Sequence, residues 1–130
     1  MSTRANIIVI GQDGQRRQYY HHTDGYPEWM GNMLANFFFT SYLCTDNDKA
    51  RENFFLDLLD KEGRFESEAV GNLHGDIEYL WLVKLGKEDH DNVISYEPLK
   101  FGWDSDDAEV DGLDWLAKNG TVASEIFKRF

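Results

Sequence analysis

A single α+β domain spanning residues 1–130 is the fold class this sequence predicts. The expected architecture is an antiparallel sheet of two hairpins, a helical hairpin packed on one side, and short C-terminal helices, in the order ββααββ-α. Three observations lead there. Two strand-like segments near the N-terminus flank Asp13-Gly14, a strong hairpin signal. Two stretches of helical period follow, separated by a short polar break. Two more strand-like segments then flank a polar turn at 86–92. Strands and helices grouped in this way are most economically satisfied by a sheet with its helices on one side.

The first strand is "RANIIVI" (4–10), short, apolar and rich in β-branched residues. Its partner is "RRQYYHH" (16–22). A two-residue loop at Asp13-Gly14 sets Ile8 opposite Tyr19, Ala5 opposite His22 and Arg4 opposite Thr23. The core face then carries Ala5, Ile7, Val9, Tyr20 and His22, by the two-residue alternation of a strand. Pro27 opens the first helix, where its missing N–H costs nothing, and Glu28 suits the positive end of the helix dipole. Met30, Met33, Leu34, Phe37, Phe38 and Ser41 form its apolar stripe; Phe39 points away from them, toward the C-terminal helices or a partner. Thr45 or Asp46 caps a second helix, in which Phe54, Phe55, Leu58 and Leu59 recur at helical spacing, and Gly63 stops it. Residues 64–76 read as irregular. Strands follow at 77–85 and 93–98, with Pro98 at a strand end. A short helix is expected near 113–118, and Thr121 caps a last one.

Composition narrows the function. The chain carries 24 acidic against 13 basic residues, a formal charge of −11, so a phosphate backbone repels it and direct nucleic-acid binding is disfavoured. The same charge suits a basic partner. One cysteine, Cys44, excludes an internal disulfide and a multi-cysteine metal site. No apolar run is long enough to span a membrane, and the N-terminus lacks a signal-peptide pattern. These features read as a cytoplasmic protein with no cofactor.

Two regions are candidate sites. The first is "YYHHTDGYPEWMGNML" (19–34), where His22, Asp24 and Tyr26 stand beside Arg4 in the expected register. A histidine and a carboxylate can form a general base with its orienting partner, but no nucleophile lies near in sequence. His74 and Asp76 repeat the His-x-Asp spacing, which raises the idea of a site shared by two loops. Three ligands are the minimum for most metal sites, and no catalytic or metal-binding residue is assigned. We read the stretch as a structural corner in which His22 packs under the turn, Asp24 bonds backbone amides and Arg4 pairs with Asp24. The alternative is a small enzyme or ligand-binding module using His22, Asp24 and Arg4.

The second region is the acidic segment containing Asp104, Asp106, Asp107, Glu109, Asp111 and Asp114, with Trp103 and Trp115 near its ends. It does not fit a calcium-binding EF-hand loop, because Ala108 and Glu109 fall where an oxygen ligand and a glycine belong. Dense carboxylates can instead occupy a Lys/Arg-rich groove that normally holds nucleic acid, and Trp103 can anchor such a contact. Asp57, Asp60 and Glu62 form a second acidic set.

The N-terminal third resembles a set of small proteins encoded by bacteriophages and mobile elements. The resemblance rests on "MSTR" and on a Tyr-x-His-x-Asp-Gly-Tyr-Pro run with Gly and Leu following. The matching residues are Ser2, Thr3, Arg4, Tyr20, His22, Asp24, Gly25, Tyr26, Pro27, Gly31 and Leu34, while Thr23 departs from the usual tryptophan or serine. The resemblance implies a phage origin and, by analogy with small acidic phage proteins, binding and blocking of host machinery. The expected partner is a host protein with a basic surface, such as a CRISPR complex or another defence enzyme, met in the cytoplasm of an infected or lysogenic bacterium. A third reading is an accessory protein of another role that self-associates as a homo-oligomer.

Overall fold

Ala5–Ile10 forms β1, and five of its six residues are buried. A run without alternation is what a strand needs when both its faces are covered. The computed structural model describes residues 3–70, 74, 77–86, 93–98 and 121–122. Its other elements, in chain order, are β2 (Arg16–His21), α1 (Pro27–Cys44), α2 (Asp48–Glu62), β3 (Glu66–Glu68), β4 (Tyr79–Lys84), β5 (Val93–Pro98) and β6 (Thr121–Val122). The strands form one six-stranded sheet in the order β3-β2-β1-β4-β5-β6.

The fold class is therefore α+β, with both expected hairpins present, β1–β2 and β4–β5. The sheet is not wholly antiparallel, because β1 and β4 pair in parallel. The β2 side of β1 is filled by its hairpin partner, and β3 adds to the outer edge of β2. The returning chain thus reaches β1 only from the other side, running in the same direction. Two segments depart from the sequence expectation. Residues 66–68, expected to be irregular, form the edge strand β3. Thr121 and Val122 extend the sheet against Ser95 and Tyr96; the remainder of the last helix expected after Thr121 lies outside the described residues. The short helix expected near 113–118 lies outside the described residues.

The β1–β2 turn corrects the expected register. Ile8 pairs with Gln18 and Ala5 with His21, one residue away from the two-residue-loop alignment. The Gly14 N–H donates to the Gly11 carbonyl at 3.0 Å, the Gly11 N–H donates to the Gln15 carbonyl at 2.8 Å, and Gly14 sits at φ +86°. This is a three-residue loop with a left-handed third residue, further held by Asp13 Oδ1, which accepts from the Gln15 N–H. A one-residue slip moves every side chain of β2 to the opposite face. Tyr19 and His21 consequently join Ala5, Ile7 and Val9 on the helix-covered face, while Gln18 and Tyr20 lie on the other.

The main core fills the space between that face and the helices. Met30, Leu34, Ala35 and Phe38 of α1 and Phe55 and Leu59 of α2 meet Ile7, Val9, Trp81, Val83 and Ile94. Phe38 stacks on Phe55 at 4.7 Å and joins the two helices. A smaller cluster on the far face contains Ile8, Tyr20, Ile77 and Leu80. The cap of α2 is Asn47, not Thr45 or Asp46: its side-chain oxygen accepts from the Ala50 N–H at 2.8 Å. Thr45 instead closes α1, donating its hydroxyl to the Ser41 carbonyl. Gly63 ends α2 at φ +89°, as expected. No helix among the described residues is long and apolar enough to cross a membrane.

Candidate functional site

The His-Thr-Asp-Gly-Tyr-Pro stretch makes a tight corner between β2 and α1. Asp24 takes a left-handed conformation, φ +56°, which aspartate tolerates better than most residues. Gly25 follows against the start of β1, where its N–H donates to the Thr3 carbonyl at 2.9 Å. A Cβ on Gly25 would lie 2.7 Å from Ala5 Cβ, so the glycine is required by proximity and not by its own dihedrals. The buried Trp81 indole N–H donates to the Gly25 carbonyl at 2.8 Å and ties the corner to β4. Tyr26 is the N-cap residue of α1 in extended conformation, with no side-chain capping bond, and Pro27 occupies the first turn.

The histidine buried at this corner is His21, not His22, as the shifted register requires. His21 is fully enclosed, between Trp29 at 5.3 Å and Phe65 at 4.7 Å. Its Nδ1–H donates to the Thr23 carbonyl. Nε2 is buried without a hydrogen-bond partner among the described residues and lies 3.8 Å from Glu62 Oε2. Burial lowers the pKa of this imidazole below its ordinary value; the Thr23 hydrogen bond and the Glu62 charge oppose that shift without cancelling it. The ring is thus held neutral in an aromatic cage.

The carboxylate of Asp24 is engaged by Arg64, at 3.3 Å, rather than by the expected Arg4. The same guanidinium holds Glu62 at 2.5 Å and lies over the Trp29 ring at 4.8 Å. Arg64 thereby links the corner to the end of α2. Arg4 supplies a main-chain contact here: its carbonyl accepts from the Glu78 N–H at 2.8 Å. His22 is on the opposite face of the sheet, exposed, with Nε2 3.1 Å from Glu66 Oε2 on β3. His22 and Asp24 therefore take different charged partners, Glu66 and Arg64.

The far face carries a second polar network that pattern reading missed. Asn6 and Gln18, both buried, donate to the same oxygen of Glu68, at 2.8 and 2.7 Å. The other oxygen of Glu68 lies 2.6 Å from His74 Nε2. Asn6 Oδ1 accepts from the His74 N–H at 2.9 Å, and the His74 ring stacks on Tyr20 with centroids 3.8 Å apart. His22 meets the same tyrosine edge-on at 4.5 Å. His22 and His74 thus share Tyr20, while Asp24 pairs with Arg64. Asp76 lies outside the described residues. The one signal in sequence was two amide residues within strands otherwise rich in apolar side chains.

Four residues, from three strands and position 74, bond one another in this network, as buried polar groups must be bonded. Among the described residues, no group of three or more His, Cys, Asp or Glu side chains is placed to hold a metal ion. A cavity lined by Gln12, Phe38, Ser41 and Phe55 holds about 10 Å³, room for one water and not for a substrate. Of the two acidic sets, Asp57 and Asp60 are exposed on α2, whereas Glu62 is taken up by Arg64. Trp103, Asp104, Asp106, Asp107, Glu109, Asp111 and Asp114 lie outside the described residues. Comparisons with protein-family models, curated proteins and solved structures give no match.

Proposed function

We propose that the protein is a non-enzymatic, phage-type accessory protein that binds a host protein through acidic surface. In this reading it acts in the bacterial cytoplasm, inhibiting or modulating a nucleic-acid-handling defence system in the manner of an anti-CRISPR protein. The observation that carries it is how the carboxylates are divided. Those of the N-terminal corner and the far face are consumed by Arg64, His74, Asn6 and Gln18. Asp57 and Asp60 remain exposed on a chain of net charge −11. Interior polar groups hold the fold, and the surplus negative charge is left for recognition of a Lys/Arg-rich surface.

The test is affinity capture from an infected host lysate across a salt series. A partner held by charge is released steeply as ionic strength rises. Neutralising Asp104, Asp106, Asp107 and Glu109 together, with Asp57→Asn and Asp60→Asn as a second set, is expected to abolish capture while leaving the folded spectrum intact. Undiminished capture by both sets at low salt overturns the proposal.

A further inference from the structure

Two basic side chains stand around one carboxylate at the β2–α1 corner, and one of them is neutral at physiological pH. The carboxylate is Glu62, the last residue of α2, with its side chain 13% exposed. Its Oε1 accepts from Arg64 Nε at 2.5 Å, and its Oε2 accepts from the Arg64 main-chain N–H at 2.9 Å. On its buried side lies His21, fully enclosed, with Nε2 3.8 Å from Oε2. The Nδ1–H of His21 is committed to the Thr23 carbonyl. In the neutral ring Nε2 therefore carries the lone pair, and no donor reaches it among the described residues. The charged groups facing the ring are Glu62 and Arg64 from the end of α2 and Asp24 from the corner; α1 presents Trp29, and Phe65 covers the remaining side.

A proton on Nε2 changes which base the carboxylate serves. The new N–H is buried and charged, and leaving it without an acceptor is costly. Glu62 Oε2 stands within 4 Å, but 3.8 Å is too long for a hydrogen bond. Closing the gap takes a shift of about 1 Å inward, away from Arg64. Two cations on one carboxylate repel each other most strongly where the dielectric is low. Arg64 is half-exposed and has water to move into; His21 has none. A half-exposed ion pair is also the weaker of the two contacts. We propose that the corner is an acid-operated latch in which His21 and Arg64 exchange the Glu62 carboxylate. With His21 neutral, Arg64 holds both Glu62 and Asp24 and pins the end of α2 to the turn before α1. With His21 protonated, Glu62 turns inward to Nε2, and Arg64 leaves Glu62 for solvent. Burial disfavours the imidazolium, so the exchange falls below the ordinary histidine range. The latch needs no second molecule and is independent of the partner binding proposed above.

The test is NMR of the full chain, titrated from neutral to mildly acidic pH. The His21 ring protons report its protonation, and the Arg64 Nε–H and main-chain N–H report its two bonds to Glu62. The expected result is loss of the Arg64 Nε–H peak and a shift of its main-chain N–H, both with the midpoint of the His21 titration. The Trp81 indole N–H, bonded to Gly25, should stay in place through the same step. Coupling between the two bases is reciprocal, which fixes the variants. Arg64→Gln removes the competitor and raises the His21 midpoint, whereas Glu62→Gln removes the contested charge and lowers it. In His21→Phe the Arg64 step is expected to disappear from the histidine range. Arg64 signals that stay unchanged while His21 titrates overturn the latch, and so does a His21 ring that never titrates in the folded protein. An Arg64 step that persists unmoved in His21→Phe overturns it in favour of protonation of Glu62 itself. Where His21→Phe does not fold, the other two variants decide, and wild-type His21 midpoints in both overturn the exchange.

Discussion

The indole N–H of Trp81 donates to the carbonyl of Gly25 at 2.8 Å, across 56 residues of chain. This bond ties the stretch that launches α1 to the centre of the sheet. Trp81→Phe keeps most of the apolar volume and leaves a buried carbonyl unpaired, at a cost of about 1–3 kcal/mol. Chemical denaturation with an unchanged m-value checks it. A variant as stable as wild type would show that the bond does not hold the corner.

Gly25→Ala places a methyl group 2.7 Å from Ala5 Cβ and 3.0 Å from the Thr3 carbonyl. The neighbours are strand backbone and a buried side chain, which yield little. A loss of about 1–3 kcal/mol is expected, in the range of core overpacking, measured as a lower melting temperature. Asp24→Gly isolates the other half of the corner. It removes a half-exposed pair with Arg64, worth roughly 0.2–1 kcal/mol, but relieves the left-handed backbone. The two effects nearly cancel, whereas Asp24→Ala loses the pair and keeps the strain. Asp24→Ala should therefore melt below Asp24→Gly.

His21 makes stability depend on pH. Its folded-state pKa is lowered, chiefly by burial. Between that value and the ordinary histidine value near ~6.5, the unfolded chain binds the proton more readily than the folded one. Stability is thus complete above this window and is lost as pH falls through it, with a slope of up to about 1.4 kcal/mol per pH unit. In His21→Phe this contribution disappears, so the difference between wild-type and variant stability should change with pH within the window and level off above it. An identical pH profile for both proteins contradicts the assignment.

Glu68 is the acceptor for two buried amides. Glu68→Ala removes one acceptor from Gln18 and one from Asn6, whose side-chain amide also donates to the Tyr19 carbonyl at 3.0 Å, and the expected loss is about 1–3 kcal/mol. Glu68→Gln keeps an oxygen for them and presents an amide toward His74, so it should cost less than half as much. Equal losses from the two variants would mean that packing, not hydrogen bonding, sets the role of this residue. Urea titration of both, with the His74 ring resonances followed by NMR, separates these outcomes.

The sequence by itself determined what is local. The apolar run of 5–10, the stripe on α1 from Met30 to Ser41, the Pro27 start and the Gly63 stop are read from period and backbone preference, and each stands in the structure. Tertiary structure decided what depends on partners distant in the chain. A single added loop residue at Gly11–Gln15 exchanged the faces of β2, so that His21 rather than His22 is buried and Arg64 rather than Arg4 holds Asp24. Pairing of β1 with β4 in parallel, and the gathering of Glu68 and His74 around Asn6 and Gln18, follow from which strand edge is still open when the chain returns. Periodicity fixes which residues alternate, but only the closed turn and the neighbouring strand fix which face each one meets.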